Sequence, residues 1–377
     1  MASAVGGKAK IWIGRERSRC LPLPARLGRR TQVCPTVVSV LKHPGACTPR
    51  HQGLERETIL CGHLKGHAAA VTAALVKVDA DGKKEVITAS LDKTMALWRL
   101  EAEEEGGELL GVRPQEVARL NPAGAPIFSL AVDGTAPEAS ASSPDSRQQV
   151  FCGNAAKSIG VWEPPAGVMQ ERVVLNGHAG WVRALAVEGR YLFSSGCSTL
   201  RQWDLTRAVP RHMRDVSLVK GDILGLATAP GRVFTAGADG AIRAWAVSKK
   251  GEMEAAGARD KAHRDRVTAL VHAGGFLYSV SHDGTLKMWD AASLELVMEE
   301  RAAHDGGRLH CAAAAADGHL YTGGDDKLVQ RWRLGSLAPA RAGALHCHNH
   351  SVRTLAAGPC ETLVSGDAAG GLALWTV

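Results

Sequence analysis

The chain has 377 residues, 45% of them apolar, and no apolar run approaches the roughly 18 residues of a membrane-spanning helix, so no membrane insertion is expected. Its formal net charge of +7 is local: residues 1–54 hold ten Lys/Arg and one acid, Glu16, while the remainder holds 35 basic and 37 acidic residues. A near-neutral body excludes a general phosphate-binding surface, and nucleic-acid binding without the tail is not expected.

The tail, residues 1–54, is rich in Arg and Pro. An organelle transit peptide has that composition; so do a disordered cytosolic extension and the remnant of a longer modular protein. A cytoplasmic or nuclear location is expected, with chloroplast or mitochondrion the alternative through this segment. Cys20, Cys34, Cys47 and His51 end in the C-x3-H spacing of a CCCH zinc finger. The preceding gaps of 13 and 12 residues depart from its compact spacing, so no metal is expected. The nine cysteines include no CxxC pair, which points to a reducing compartment rather than a disulfide framework.

Beyond the tail, Thr58 to Leu64 reads as a strand without a sheet of its own. A repeat follows. Trp98, Trp162, Trp203, Trp245, Trp289, Trp332 and Trp375 are separated by 64, 41, 42, 44, 43 and 43 residues. A four-strand unit of about 40–45 residues closing on Trp or Trp-Asp is the signature of a β-propeller blade. Ten residues before the Trp stands a hydroxyl in five units: Thr88, Thr235, Ser279, Thr322 and Ser365. Cys152 takes that place in the second unit, and the shorter third unit supplies Ser194. Six residues before it stands a turn acid in four units: Asp92, Asp239, Asp283 and Asp326. Between acid and Trp runs an alternating strand such as Gly284 to Trp289, the period-2 pattern of a half-buried strand. Histidines open most units, four residues before an apolar strand opener: His67 before Val71, His178 before Val182, His263 before Val267 and His348 before Val352. His304 precedes Leu309 by five, and the second and fourth units have no such histidine.

Two segments account for the long first interval. Glu101 to Glu116, acidic and Gly-containing, reads as an exposed linker between blades; Asp133 to Gln149, rich in Ser, Ala and Pro, reads as a disordered loop. The chain reaches Val377 two residues after the last Trp, so the seventh unit lacks its outermost strand. The orphan segment near 58–64 is expected to supply it and to latch the ring. The fold class is therefore all-β, a closed seven-bladed β-propeller over residues 55–377.

The repeat resembles the WD40 family. Gly66-His67 and Gly177-His178 match its Gly-His dipeptide, and Trp203-Asp204 and Trp289-Asp290 match its Trp-Asp, within a resemblance covering about residues 56–377. It implies buried His, Ser/Thr, Asp and Trp tetrads, complete in His67/Thr88/Asp92/Trp98 and in His263/Ser279/Asp283/Trp289. Such a polar chain stabilises only when each member is satisfied. Repetition at blade spacing makes these residues braces rather than a hydrolase triad, which geometry would define. His346-Cys347-His348-Asn349-His350 reads as a connecting loop. No catalytic residue, metal or cofactor is expected.

One position past each strand opener lie Thr72, Phe128, Arg183, Leu224, Thr268, His310 and Arg353, with Trp181 and Arg266 just before two openers. These positions surround the central opening at the propeller's top face. Phe128, Trp181, Arg183, Arg266, His310 and Arg353 are the expected partner-binding set, since exposed aromatic and Arg residues anchor interfaces. The expected function is a scaffold or adaptor: a monomeric propeller within a larger complex, holding a protein or peptide. The alternatives are substrate recognition in a ubiquitin ligase assembly and an RNA-associated role through the tail. Against the former, Arg207 lies one residue too far from Trp203-Asp204 for the Trp-Asp-x-Arg signature of cullin-adaptor propellers.

Overall fold

The structure, a computed structural model, describes residues 59–78, 83–105, 108–133, 149–163, 170–207, 209–218, 221–336, 339–359 and 361–377. These form seven four-stranded antiparallel sheets. Their inner strands are Val71–Val78, Ile127–Val132, Val182–Glu188, Ile223–Ala229, Val267–Ala273, Leu309–Ala314 and Val352–Gly358, which define blades 1 to 7. The architecture is the closed seven-bladed all-β propeller that the tryptophan period predicts. Closure comes from Ile59–Lys65, which pairs with Gly371–Thr376 as the outermost strand of blade 7.

The core lies between blades, because each sheet is buried on both faces and must pack on two neighbours. Each repeat Trp packs onto the preceding blade: Trp289 meets Ile242 and Ala244, and Trp375 meets Val329. The last interface closes the ring, with Trp98 of blade 1 against Leu372 and Leu374 of blade 7. Turns between the second and third strands put a residue in the left-handed region, Gly284 at φ 80° and Lys93 at φ 72°. Glycine tolerates that conformation without steric cost.

One expectation fails. Residues 101–116 are not a linker between blades: Met95–Glu105 and Glu108–Leu120 form one long hairpin, paired out to Glu105 and Glu108. Backbone pairing needs no apolar alternation, so an acidic hairpin arm carries no strand signal in its sequence. The tail and its CCCH-like spacing lie outside the described residues, as does the 133–149 segment except for its ends. There Asp133 N–H donates to the Gln149 carbonyl at 2.9 Å.

Candidate functional site

Each inner strand carries the same irregularity. Pairing slips just after the first residue, between Val71 and Ala73, Ile127 and Ser129, Val182 and Ala184, and equivalently in the other four blades. The skipped residues are Thr72, Phe128, Arg183, Leu224, Thr268, His310 and Arg353. A β-bulge leaves its extra residue out of the ladder and re-aims its side chain. All seven line one cavity of about 620 Å³, together with Arg266. Trp181 does not line it; it stands on the rim.

The seven are not equivalent. Thr72 and Thr268 hydroxyls donate to the first residue of the next blade, Ile127 O at 2.6 Å and Leu309 O at 2.9 Å. They tie neighbouring blades together. Phe128 and Trp181 stack at 5.4 Å with 23° between rings, and the Arg183 guanidinium sits 5.3 and 5.0 Å from the two ring centroids. Asp222 holds Arg183 loosely at 4.0 Å. Trp181 nevertheless remains 48% exposed, so about half of its surface is left uncovered by the described residues. On the far arc, His310 Nε2–H donates to Asp325 at 2.6 Å, while Arg353 and His282 both reach its Nδ1 at 3.2 Å. His282 and Leu91 also line the cavity. Both immediately precede a turn acid, Asp283 and Asp92, and counting that position in the repeat would have found them.

The histidines that open the units do different work. In blade 5, Trp289 Nε1–H donates to Ser279 Oγ at 2.8 Å, Ser279 meets His263 Nε2 at 2.7 Å, and His263 Nδ1 reaches Asp283 at 3.2 Å. Blade 1 repeats this through Trp98, Thr88, His67 and Asp92 at 2.9, 2.8 and 3.0 Å. Blade 6 uses His304, Thr322, Asp326 and Trp332. In blade 7, Asp367 serves His348 at 3.2 Å from two residues before the expected turn position. Blade 4 lacks the histidine, and Asp239 pairs with Arg243 at 2.6 Å. Blades 2 and 3 are incomplete: Trp162 Nε1 and His178 Nδ1 are buried and find no hydrogen-bond partner among the described residues.

These braces tie stability to pH. Burial pushes the His178 imidazole down to about 4, reinforced by Arg201, and burial also lowers His67 and His263. Burial would raise the Asp92 carboxyl, but hydrogen bonds from the Thr94 side chain and the Ala68 and Thr94 N–H groups outweigh it and hold it at about 2. All these folded-state values lie below the unfolded ones. Their stabilisation is complete above the unfolded histidine value of about 6.5 and is lost as pH falls, histidines first and carboxylates below about 4. Thermal melts should therefore fall steadily from about pH 6.5 downwards, and His178→Gln should flatten the slope between about pH 6.5 and 4. Equal slopes in both proteins would show that His178 does not contribute to this pH dependence.

Among known proteins, the family described as "WD domain, G-beta repeat" matches residues 169–204 and 257–290. The chain is 28% identical over 255 residues to nuclear distribution protein PAC1 of Arthroderma otae, covering 60% of this chain and 51% of that protein. It is 24% identical over 157 residues to zinc finger CCCH domain-containing protein 62 of Arabidopsis thaliana, covering 41% of this chain and 36% of the relative. The chain thus spans about half or less of the length of these curated relatives. The crystal structure of the WD40 β-propeller domain of Doa1 superposes with a TM-score of 0.65 at 17% identity, covering 84% of this chain and 96% of that one. WD40 repeats match at those two segments, on a propeller fold, which supports a protein-interaction scaffold in general. Among the described residues, no helix is long and apolar enough to cross a membrane.

Proposed function

We propose that this WD40-repeat propeller is a non-catalytic adaptor whose top face holds a protein or peptide partner at the mouth of the central cavity. The observation that carries this reading is the stacked Phe128–Trp181 pair capped by Arg183, exposed beside a cavity that every bulge residue lines. Trp and Arg dominate the few residues that supply most of an interface's binding energy, and loss of one such anchor costs about 2 kcal/mol or more. The tetrads leave no nucleophile–base pair facing the cavity, because their histidines are buried between strands. Ligase recognition and RNA binding draw no specific observation from the described residues.

Affinity purification of the intact protein with Trp181→Ala and Arg183→Ala combined tests the reading. Partner recovery should fall at least about 30-fold, the equivalent of one such anchor, while the melting temperature stays within about 2 °C, as for surface changes. Undiminished recovery would move the site elsewhere.

A further inference from the structure

The cavity mouth is chemically two-sided. Blades 2 and 3 give it the aromatic pair; blades 5 to 7 give it histidines and arginines. His310 is fully engaged: Nε2 faces Asp325 Oδ1 at 2.6 Å, and His282 Nε2 and Arg353 Nη1 converge on Nδ1, each at 3.2 Å. A guanidinium only donates, so Nδ1 must offer a lone pair. His310 is therefore neutral, with its proton on Nε2, and His282 donates to it from a ring set edge-on at 5.0 Å. The charged groups facing this pair are Arg266 and Asp265 from blade 5, Arg308 and Asp325 from blade 6, and Arg353 from blade 7. Three guanidiniums stand against two carboxylates. Arg266 is loosely held, 3.9 Å from Asp265, with its side chain 54% exposed.

An unliganded arc of this kind resists protonation of either ring. Burial lowers both histidines, His282 to about 4, and the neighbouring arginines act in the same direction. An arriving carboxylate reverses the balance, because an anion near a histidine favours its charged form. With a proton on Nδ1, His310 no longer accepts from Arg353. That guanidinium is freed for the incoming anion, and His282 keeps its contact by moving its own proton to Nδ1 and accepting through Nε2.

Resting on the adaptor reading above, we propose that the blade 5–7 arc receives a carboxylate from an acidic peptide segment of the partner. Docking is coupled to uptake of one shared proton from solvent by the His282–His310 pair, so that mild acidification tightens the complex. The excess guanidinium supplies the charge complementarity, and the aromatic pair across the mouth takes an apolar side chain of the same segment.

The test is calorimetric titration of the full chain with a short oligo-aspartate peptide, in two buffers of different ionisation enthalpy. An uncharged Ser/Gly peptide of equal length serves as control. One whole proton taken up gives a tenfold change in affinity per pH unit, so fractional uptake should tighten oligo-aspartate binding roughly three- to tenfold from about pH 7.5 to about pH 6.0. The observed heat should depend on the buffer. His282→Gln combined with His310→Gln should abolish both effects, and Arg266→Ala combined with Arg353→Ala should weaken binding at least about tenfold, as expected for lost charge-assisted contacts. No binding of oligo-aspartate, binding without proton uptake, or uptake unchanged in the histidine variant would each overturn the proposal. Should oligo-aspartate fail while partner recovery still depends on Trp181 and Arg183, the proton-coupled site is wrong and the adaptor reading stands. Unchanged partner recovery would instead strike the adaptor reading itself.

Discussion

A chain beginning at Gly66 should melt about 10 °C below the full-length protein, whereas one beginning near residue 55 should melt with it. The difference is one strand. Ile59–Lys65 pairs along Gly371–Thr376, from Ile59 opposite Thr376 to Lys65 opposite Gly371. Its Leu64 joins the blade 7–blade 1 cluster of Trp98, Leu372 and Leu374, and its His63 ring meets His348 edge-on at 6.0 Å. Losing the strand forfeits about 1.5 kcal/mol for the half-buried Leu64 and about 0.5–1.5 kcal/mol for each ladder hydrogen bond. Six register pairs bring the total to about 5–10 kcal/mol, and at roughly 1.5 °C per kcal/mol for a propeller of about 320 residues that is about 10 °C. The loss is global because this strand completes the blade that joins the last repeat to the first. Differential scanning calorimetry decides it. Equal melting temperatures for the two truncations would mean that the ring does not depend on this strand.

Ser279→Ala should cost about 2–6 kcal/mol, far more than a surface serine would. Its hydroxyl joins two buried rings by hydrogen bonds, accepting from Trp289 Nε1 at 2.8 Å and meeting His263 Nε2 at 2.7 Å. Ser279 is inaccessible to solvent and both rings are buried, so water cannot replace the hydroxyl without rearrangement. Two orphaned polar groups at about 1–3 kcal/mol each set the range. Urea unfolding of the variant measures it directly, and a loss below about 1 kcal/mol would show that the tetrad is not a brace. Blade 2 shows that a single deficit is tolerated: Cys152 occupies the hydroxyl's place, and Trp162 Nε1 has no partner among the described residues.

The legible parts of the fold are those where one side chain has a repeated physical duty. Each Trp needs both a preceding blade and, in six of the blades, a hydroxyl for its Nε1, so its period survives in sequence even where histidine and acid have drifted. The cavity-facing positions were countable because the bulge always follows the strand opener, although the bulge itself is a property of pairing and has no residue signature. The 101–116 hairpin was illegible because backbone pairing needs no apolar alternation, and its acidic sequence offers none. Asp367 was missed for another reason. It reaches His348 from the end of its strand rather than from the following turn, a route that spacing cannot encode. His282 and Asp325 lie in turns whose ends converge on the cavity only after the ring closes.

Whether the partner sits on the top face is read from amide hydrogen exchange on the protein alone and bound to its affinity-purified partner. Exchange should slow in the segments leading into the inner strands, around Phe128, Trp181 to Arg183, Arg266 and His310. Exchange along the outer strand Leu296–Glu300, where Leu296, Val297 and Met298 are exposed, should stay unchanged. Protection confined to such outer edges, with the cavity mouth unaffected, would contradict top-face binding.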